Sequence, residues 1–139
     1  MIILDTNVIS ALMQPDGHRG VIHWLDAQPR PSVWIAAISV MEIRYGILLL
    51  PEGRRKSRLA ANFERMVGEA LENRVLAFDA AAAEIAAVVS AGRRQSGLNV
   101  DIRDTQIAAI ALSRNAVLAT RNVRDFRDTG LILIDPWSK

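Results

Sequence analysis

The chain has 139 residues, half of them hydrophobic and 23% charged, with a net charge of only +2, which suits one globular domain over residues 1–139 and excludes a disordered chain. Cysteine is absent, so disulfide bonds and thiolate metal sites are excluded, and a metal would need oxygen ligands or His18 or His23. No apolar run approaches the ~18 residues of a membrane span, and no basic region precedes the N-terminal apolar run, so we expect a soluble cytoplasmic protein without membrane contact.

Short hydrophobic runs alternate with helical patterns along the chain. Residues 2–4, Ile-Ile-Leu, are too short for a helix core and are typical of a buried parallel strand. The predicted strands cover residues 2–4, 33–38, 116–119 and 131–134, and residues 75–78 form a short extended link. The predicted helices cover residues 6–13, 18–27, 39–50, 54–73, 80–94 and 102–111. This alternation predicts an α/β fold with a central, mostly parallel β-sheet flanked by helices.

Acidic residues stand near several predicted helix starts. Asp5 lies where the first strand ends, as either a helix cap or part of a site. Ser39 and Glu42 have the spacing of a capping box, with Ser39 at N-cap and Glu42 at N3. Asp101 is a candidate N-cap, which puts Asp104 at N3 of the next helix. Each acid therefore has an ordinary structural explanation when it is considered alone.

Four acids occupy similar positions in the predicted fold, near the end of a strand or the start of a helix. Asp5, Glu42 and Asp125 fall within a few residues of a strand end, and Asp104 lies in the first turn of a helix. Because the carboxyl ends of parallel strands lie at one edge of the sheet, we expect these carboxylates to converge. Carboxylates at one edge repel each other unless a cation lies among them, and oxygen ligands suit Mg²⁺ or Mn²⁺.

The basic residues are almost all arginine, with Lys56 and Lys139 as the exceptions. Arginine suits bidentate contact with phosphate, although a GC-rich genome also enriches it. An acidic, metal-filled edge on an arginine-rich domain is consistent with a phosphodiester site, where the metal polarises a phosphoryl oxygen. His18 and His23 are five residues apart, which is not one helical face, so they are interpreted as surface residues rather than metal ligands.

Four segments together carry a specific family pattern, which spans nearly the whole chain down to residues 135–137. They are residues 3–7 (ILDTN), 39–46 (SVMEIRYG), 104–109 (DTQIAA) with Ala111, and 119–122 (ATRN) with Asp125 and Phe126. Each segment is weak alone, but the four occur in the order of the family. The chain resembles the PIN-domain ribonucleases, and within them the VapC/FitB type of toxin from bacterial toxin–antitoxin pairs.

This resemblance implies an Mg²⁺- or Mn²⁺-dependent endoribonuclease. Asp5 and Asp104 would be the main metal ligands. Glu42 would hold a second ion or a metal-bound water, or would act as a base. The expected reaction hydrolyses an RNA phosphodiester and leaves a 5′-phosphate and a 3′-hydroxyl.

The resemblance also implies a fourth acid and residues that support the ligands. Some relatives carry the fourth acid where this chain has Asn122, and others carry it where Asp125 stands. We favour Asp125 as the ligand, with Asn122 as a polar neighbour, because an amide is a weaker ligand than a carboxylate. Thr6 and Thr120 would orient Asp5 by hydrogen bonding.

The resemblance further implies protein partners. It implies a homodimer or a larger toxin–antitoxin assembly, and a cognate VapB/FitA-like antitoxin that blocks the site, often with an arginine among the acids. Transfer, ribosomal and messenger RNA all stay open as the substrate.

Three other functions compete with this hypothesis. A phosphatase with a nucleophilic aspartate needs a second Asp two residues after the first, where this chain has Asn7. A phospho-accepting receiver domain needs a Lys after its last strands, and the only late lysine is Lys139. A PIN-like scaffold that binds RNA without cutting it is favoured only by the weaker fourth acid.

Overall fold

Five short strands form the central sheet of the computed structural model, which describes residues 1–14 and 16–138. All neighbouring strands are parallel, and their order across the sheet is 3-2-1-4-5 in chain numbering. The strands are β1 (Ile2–Leu4), β2 (Val33–Ala36), β3 (Val75–Leu76), β4 (Val117–Ala119) and β5 (Leu133–Ile134). The chain therefore extends the sheet from β1 to one side, and then returns to add β4 and β5 on the other side.

Helices cover both faces of this sheet. They are α1 (Thr6–Leu12), α2 (Arg19–Asp26), α3 (Ala37–Leu48), α4 (Arg54–Arg65), α5 (Ala80–Gln95) and α6 (Ile102–Ser113), with 3₁₀ turns at Arg30–Ser32 and Val123–Thr129 and a π-helical turn at Met66–Ala70. Since successive side chains of a strand point to opposite faces, Ile3 packs in the core with Ile107 of α6, and Leu4 packs in the other core with Phe63 of α4. Among the residues described, no helix is long and apolar enough to cross a membrane.

The predicted α/β fold with a parallel sheet is confirmed, but the predicted capping box is wrong. Helix α3 begins at Ala37, with Ala36 at its N-cap, so Ser39 is the third residue of the helix and is fully buried. Its hydroxyl is hydrogen-bonded to the hydroxyl of Thr6 at 2.9 Å. A tertiary contact between α1 and α3 therefore accounts for a serine that the local spacing assigned to a helix cap.

Two elements also differ in kind from the prediction. The extended link at residues 75–78 contains β3, which pairs with β2 at the edge of the sheet. A two-residue strand shows no periodicity, so its sequence could not reveal the pairing. The helix predicted over residues 54–73 is α-helical only to Arg65 and then continues as the π-helical turn.

Replacing Ile35 by alanine should destabilise the protein by about 2–5 kcal/mol, because its fully buried side chain lies on β2 and its loss leaves a cavity. Ile132→Ala is the matched control, since Ile132 is 70% exposed and its truncation should change stability by less than about 0.5 kcal/mol. Urea denaturation of both variants measures the difference. Equal losses would contradict the burial of Ile35 between the sheet and the helices.

Candidate functional site

The strand order reverses between β1 and β4, which lie next to each other at the centre of the sheet. Asp5 directly follows β1, and its N–H donates to the carbonyl of Ala119, the last residue of β4, at 2.9 Å. Thr120 directly follows β4 and is fully buried. Ligands of open α/β sheets bind at such a reversal, so both residues lie where this fold places a site.

Three groups hold the carboxylate of Asp5, which is only 3% exposed. The N–H of Thr6 donates to Oδ1 at 2.8 Å, and the hydroxyl of Thr120 donates to Oδ2 at 2.8 Å. The side-chain amide of Asn7 also donates to Oδ2, at 3.2 Å. Burial raises the pKa of Asp5, and the hydrogen bonds from Thr120 and Thr6 act in the opposite direction. The carboxylate is therefore fixed in orientation at a position where its charge is unfavourable.

Glu42 of α3 is joined to the same structure through Thr6. The hydroxyl of Thr6 donates to Glu42 Oε1 at 2.8 Å, and the side chain of Glu42 is 19% exposed. Thr6 therefore contacts Asp5 through its backbone N–H and contacts Glu42 through its hydroxyl. The negative charge of Glu42 contributes to raising the pKa of Asp5, so the two carboxylates interact.

Asp104 lies in the first turn of α6, as the spacing predicted. Asp101 is the N-cap of this helix and accepts a hydrogen bond from the N–H of Arg103 at 2.8 Å, which places Asp104 at N3. The pKa of Asp104 is raised to about 6, first by burial and then by four negative charges, those of Asp5, Asp101, Glu42 and Asp125. The charges that act on Asp104 thus come from Asp5 after β1, from α3, from the N-cap of α6 and from the 3₁₀ turn Val123–Thr129.

Asp125 and Asn122 lie at different depths. Asp125, on the 3₁₀ turn Val123–Thr129, is partly buried, and its charge contributes to raising the pKa of both Asp5 and Asp104. Asn122 is exposed, and its backbone N–H donates to the hydroxyl of Thr120 at 3.0 Å. Asn122 therefore supports Thr120, which bonds Asp5, whereas the charge of Asp125 acts directly on Asp5 and Asp104.

We call the set Asp5, Glu42, Asp104 and Asp125 the acidic edge. Within residues 1–14 and 16–138, no three His, Asp or Glu side chains stand close enough together to hold a metal ion as they are arranged. The donors still fit a hard divalent cation in their chemistry, because all four are carboxylates. Burial raises the pKa of Asp5 and that of Asp104, the repulsion between the acids adds to this rise, and a bound cation would relieve the repulsion.

Two polar residues beside the acidic edge were not assigned a role from the sequence. Besides donating to Asp5, Asn7 accepts a hydrogen bond from the N–H of Arg121 at 3.2 Å. Arg103 makes a bidentate contact with Asp101 and lies 3.6 Å from Glu42. The sequence could have pointed to both residues, because each stands within two residues of an acid that was predicted for the site.

Comparison with known proteins gives the family. Residues 2–131 match the family described as PIN domain. The chain belongs to the PIN domain family. The VapC ribonuclease Y4jK of Sinorhizobium fredii is 39% identical to it over 137 residues, covering 99% of this chain and 98% of that relative. Toxin FitB of Neisseria gonorrhoeae is 34% identical over 99% of both chains. The crystal structure of FitAcB from the same organism has a TM-score of 0.91 at 33% identity and 100% coverage of both chains.

The family predicted from the four sequence segments is therefore confirmed. All four segments lie inside the matched PIN domain range. Since the FitAcB chain is matched over its whole length, its elements correspond to those of this PIN domain from β1 to the last residues.

Replacing Asp104 by asparagine should raise the melting temperature at neutral pH by a few degrees in the presence of EDTA. The pKa of Asp104 is about 6 in the folded PIN domain against an ordinary value of 3.8, so the folded state binds this proton more tightly. The stability that the proton provides is fully present below about pH 4 and is lost as the pH rises through about 6. Asparagine carries no charge and avoids that loss.

Melting curves of the wild type and Asp104→Asn from pH 4 to pH 8 measure this effect. The two curves should nearly coincide at pH 4 and separate as the pH rises, with the variant more stable. Asp26→Asn, at the exposed end of α2, is the control. A separation that is the same at every pH would contradict the raised pKa of Asp104.

Proposed function

We propose that this PIN domain is a divalent-metal-dependent endoribonuclease that acts as the toxin of a toxin–antitoxin pair. The observation that carries the proposal is the acidic edge. Its carboxylates come from four separate segments, and they lie near enough at the reversal of the strand order to contribute to raising the pKa of Asp5 and that of Asp104. The names of two full-length relatives, a VapC ribonuclease and toxin FitB, support the same activity and role.

The acidic edge would hold Mg²⁺ or Mn²⁺, with Asp5 and Asp104 as the main ligands. Glu42 and Asp125 would complete the oxygen donors, with Glu42 next to a second ion or a water. When bound, the cation supplies polarisation of a phosphoryl oxygen and a lower pKa for its bound water. The expected reaction hydrolyses an RNA phosphodiester and leaves a 5′-phosphate and a 3′-hydroxyl.

The chain's own residues orient the acids for this reaction. Thr120, Asn7 and the N–H of Thr6 fix both oxygens of Asp5 in a buried position. The hydroxyl of Thr6 holds Glu42 beside it. Such hydrogen bonds keep ligands in place before substrate arrives, which lowers the reorganisation that the reaction requires.

The surface charge beside the acidic edge suits an RNA strand. The guanidinium of Arg103 lies 3.6 Å from Glu42 and is 43% exposed, so it can reach a phosphate adjacent to the acids. Arg121 is exposed, and its N–H is bonded to Asn7. The guanidinium of Arg103 therefore places positive charge beside the carboxylates, where a polyanion needs compensating charge, whereas the guanidinium of Arg121 lies over the ring of Trp137.

A toxin that cuts RNA has to be neutralised in the cell that makes it, so we propose a cognate antitoxin as a partner. A basic side chain of that antitoxin would satisfy the repelling carboxylates in place of the cation. Helix α3 also presents an exposed apolar stripe, with Met41 51%, Tyr45 59% and Leu48 68% exposed. Apolar area of this kind suits contact with the antitoxin or with a second toxin subunit, which supports the proposed homodimer or larger assembly.

Replacing Asp5 by asparagine should abolish RNA cleavage and leave the fold intact. Even the loss of a group that only orients a ligand costs about 10–100-fold, so we expect the loss of a ligand charge to cost more than that. The substitution keeps the shape of the side chain and removes an unfavourable buried charge, which offsets the hydrogen bonds lost where the amide nitrogen replaces an oxygen, so the protein should still fold.

Cleavage of total RNA by the wild type, Asp5→Asn and the control Asp26→Asn, each with Mg²⁺, Mn²⁺ or EDTA, measures the effect. We expect cleavage by the wild type and by Asp26→Asn only when a metal is present. Wild-type cleavage that persists in EDTA would refute the metal dependence. An active Asp5→Asn variant would refute the role of Asp5.

A further inference from the structure

A buried arginine of α5 connects the two segments that carry the later acids of the acidic edge. Arg93 is 4% exposed and lies on the same face of α5 as the buried residues Ala82 and Ala86. An arginine at a buried position is rare unless its donors are satisfied, because taking a guanidinium out of water is costly.

The guanidinium of Arg93 makes four hydrogen bonds to two other elements. Its Nε and Nη2 donate to the two carboxylate oxygens of Asp128 at 2.8 and 3.1 Å. Its Nη1 donates to the hydroxyl of Thr105 in α6 at 2.7 Å, and its Nη2 also donates to the carbonyl of Asp125 at 2.7 Å. One rigid, planar group thus joins the residue next to Asp104 with the backbone of Asp125.

Arg93 forms an ion pair with Asp128 rather than with a carboxylate of the acidic edge. The hydrogen bond from Arg93 is the main reason that the pKa of Asp128 lies below its ordinary value. The pKa of Asp104, by contrast, is raised by burial and by neighbouring acids. Arg93 therefore affects the acids through the geometry of its hydrogen bonds and not by neutralising them.

We propose that Arg93 is a positioning residue. Its guanidinium sets the separation of Asp104 and Asp125, because it holds the first turn of α6 against the 3₁₀ turn Val123–Thr129. This inference rests on the proposed function in one respect, that these two carboxylates hold the cation. Lysine cannot replace Arg93, because a single ammonium group cannot reach the carboxylate, the hydroxyl and the carbonyl together.

Arg74 provides a matched control for a purely structural arginine. It donates from Nε to the carbonyl of Val33 at 2.8 Å and from Nη2 to that of Arg30 at 2.8 Å and that of Ala70 at 3.4 Å. These carbonyls lie around the start of β2 and the π-helical turn, away from the carboxyl edge of the sheet. Arg74→Lys should therefore lower stability without disturbing the acids.

The test compares the wild type, Arg93→Lys and Arg74→Lys in two measurements. Hydrogen exchange without metal follows the N–H of Thr105, bonded to Asp101, and the N–H of Asp125, bonded to Asn122. Electron paramagnetic resonance at pH 8 follows the binding of Mn²⁺ in the absence of RNA. In Arg93→Lys we expect faster exchange at these two amides and Mn²⁺ affinity lower by about 10–100-fold. In Arg74→Lys we expect neither change.

The outcomes separate this inference from the proposed function. Wild-type exchange and Mn²⁺ affinity in a folded Arg93→Lys protein would overturn the positioning role. Equal weakening by Arg74→Lys would also overturn it, since general destabilisation would then be the cause. If the wild type binds no Mn²⁺, the metal site of the proposed function fails, and local exchange at the two amides still decides whether Arg93 positions the acids.

A milder variant covers the case in which Arg93→Lys does not fold. Thr105→Val keeps the size of the side chain and removes one of the four hydrogen bonds of Arg93. Faster exchange at Asp125, on the other segment, would support the inference, because the guanidinium that loses its bond to residue 105 also donates to the carbonyl of Asp125. Unchanged exchange at Asp125 would overturn it.

Discussion

The buried carboxylate of Asp5 is the constraint on which the arrangement of the other acids depends. It lies at the reversal of the strand order, where the chain can bring α1, α3 and the segment after β4 to one point. Thr6 and Thr120, one from each side of the reversal, bond its two oxygens. Because Asp5 is fixed in this way, Glu42 is placed relative to it through the hydroxyl of Thr6.

The same arrangement opposes stability. Burial and like charges raise the pKa of Asp5 and that of Asp104, so the ionised acidic edge destabilises the folded chain at neutral pH. Carboxyl groups with perturbed pKa values cluster at functional sites. A ligand of opposite charge relieves the repulsion between them, and this relief strengthens its binding. The repulsion between the carboxylates is therefore reduced in the same way by a bound cation, by a basic group of an antitoxin, or by the removal of one of the charges.

Local patterns in the sequence predicted most of the fold, whereas features that depend on tertiary contact were missed. Alternating hydrophobic runs and helices predicted the parallel sheet, and the ends of its strands indicated where the acids stand. Ser39 was misassigned because its partner, Thr6, lies 33 residues away. Arg93 gave no local signal beyond its place on the apolar face of α5, since Thr105 and Asp128 are 12 and 35 residues distant.

The most direct test of the central claim, that the acidic edge holds a divalent cation, is diffraction at the manganese absorption edge from crystals soaked in Mn²⁺. We predict an anomalous difference peak within coordination distance of the carboxylates of Asp5 and Asp104. Data from fully soaked crystals with no peak at the acidic edge, or with peaks only elsewhere on the protein, would contradict the claim.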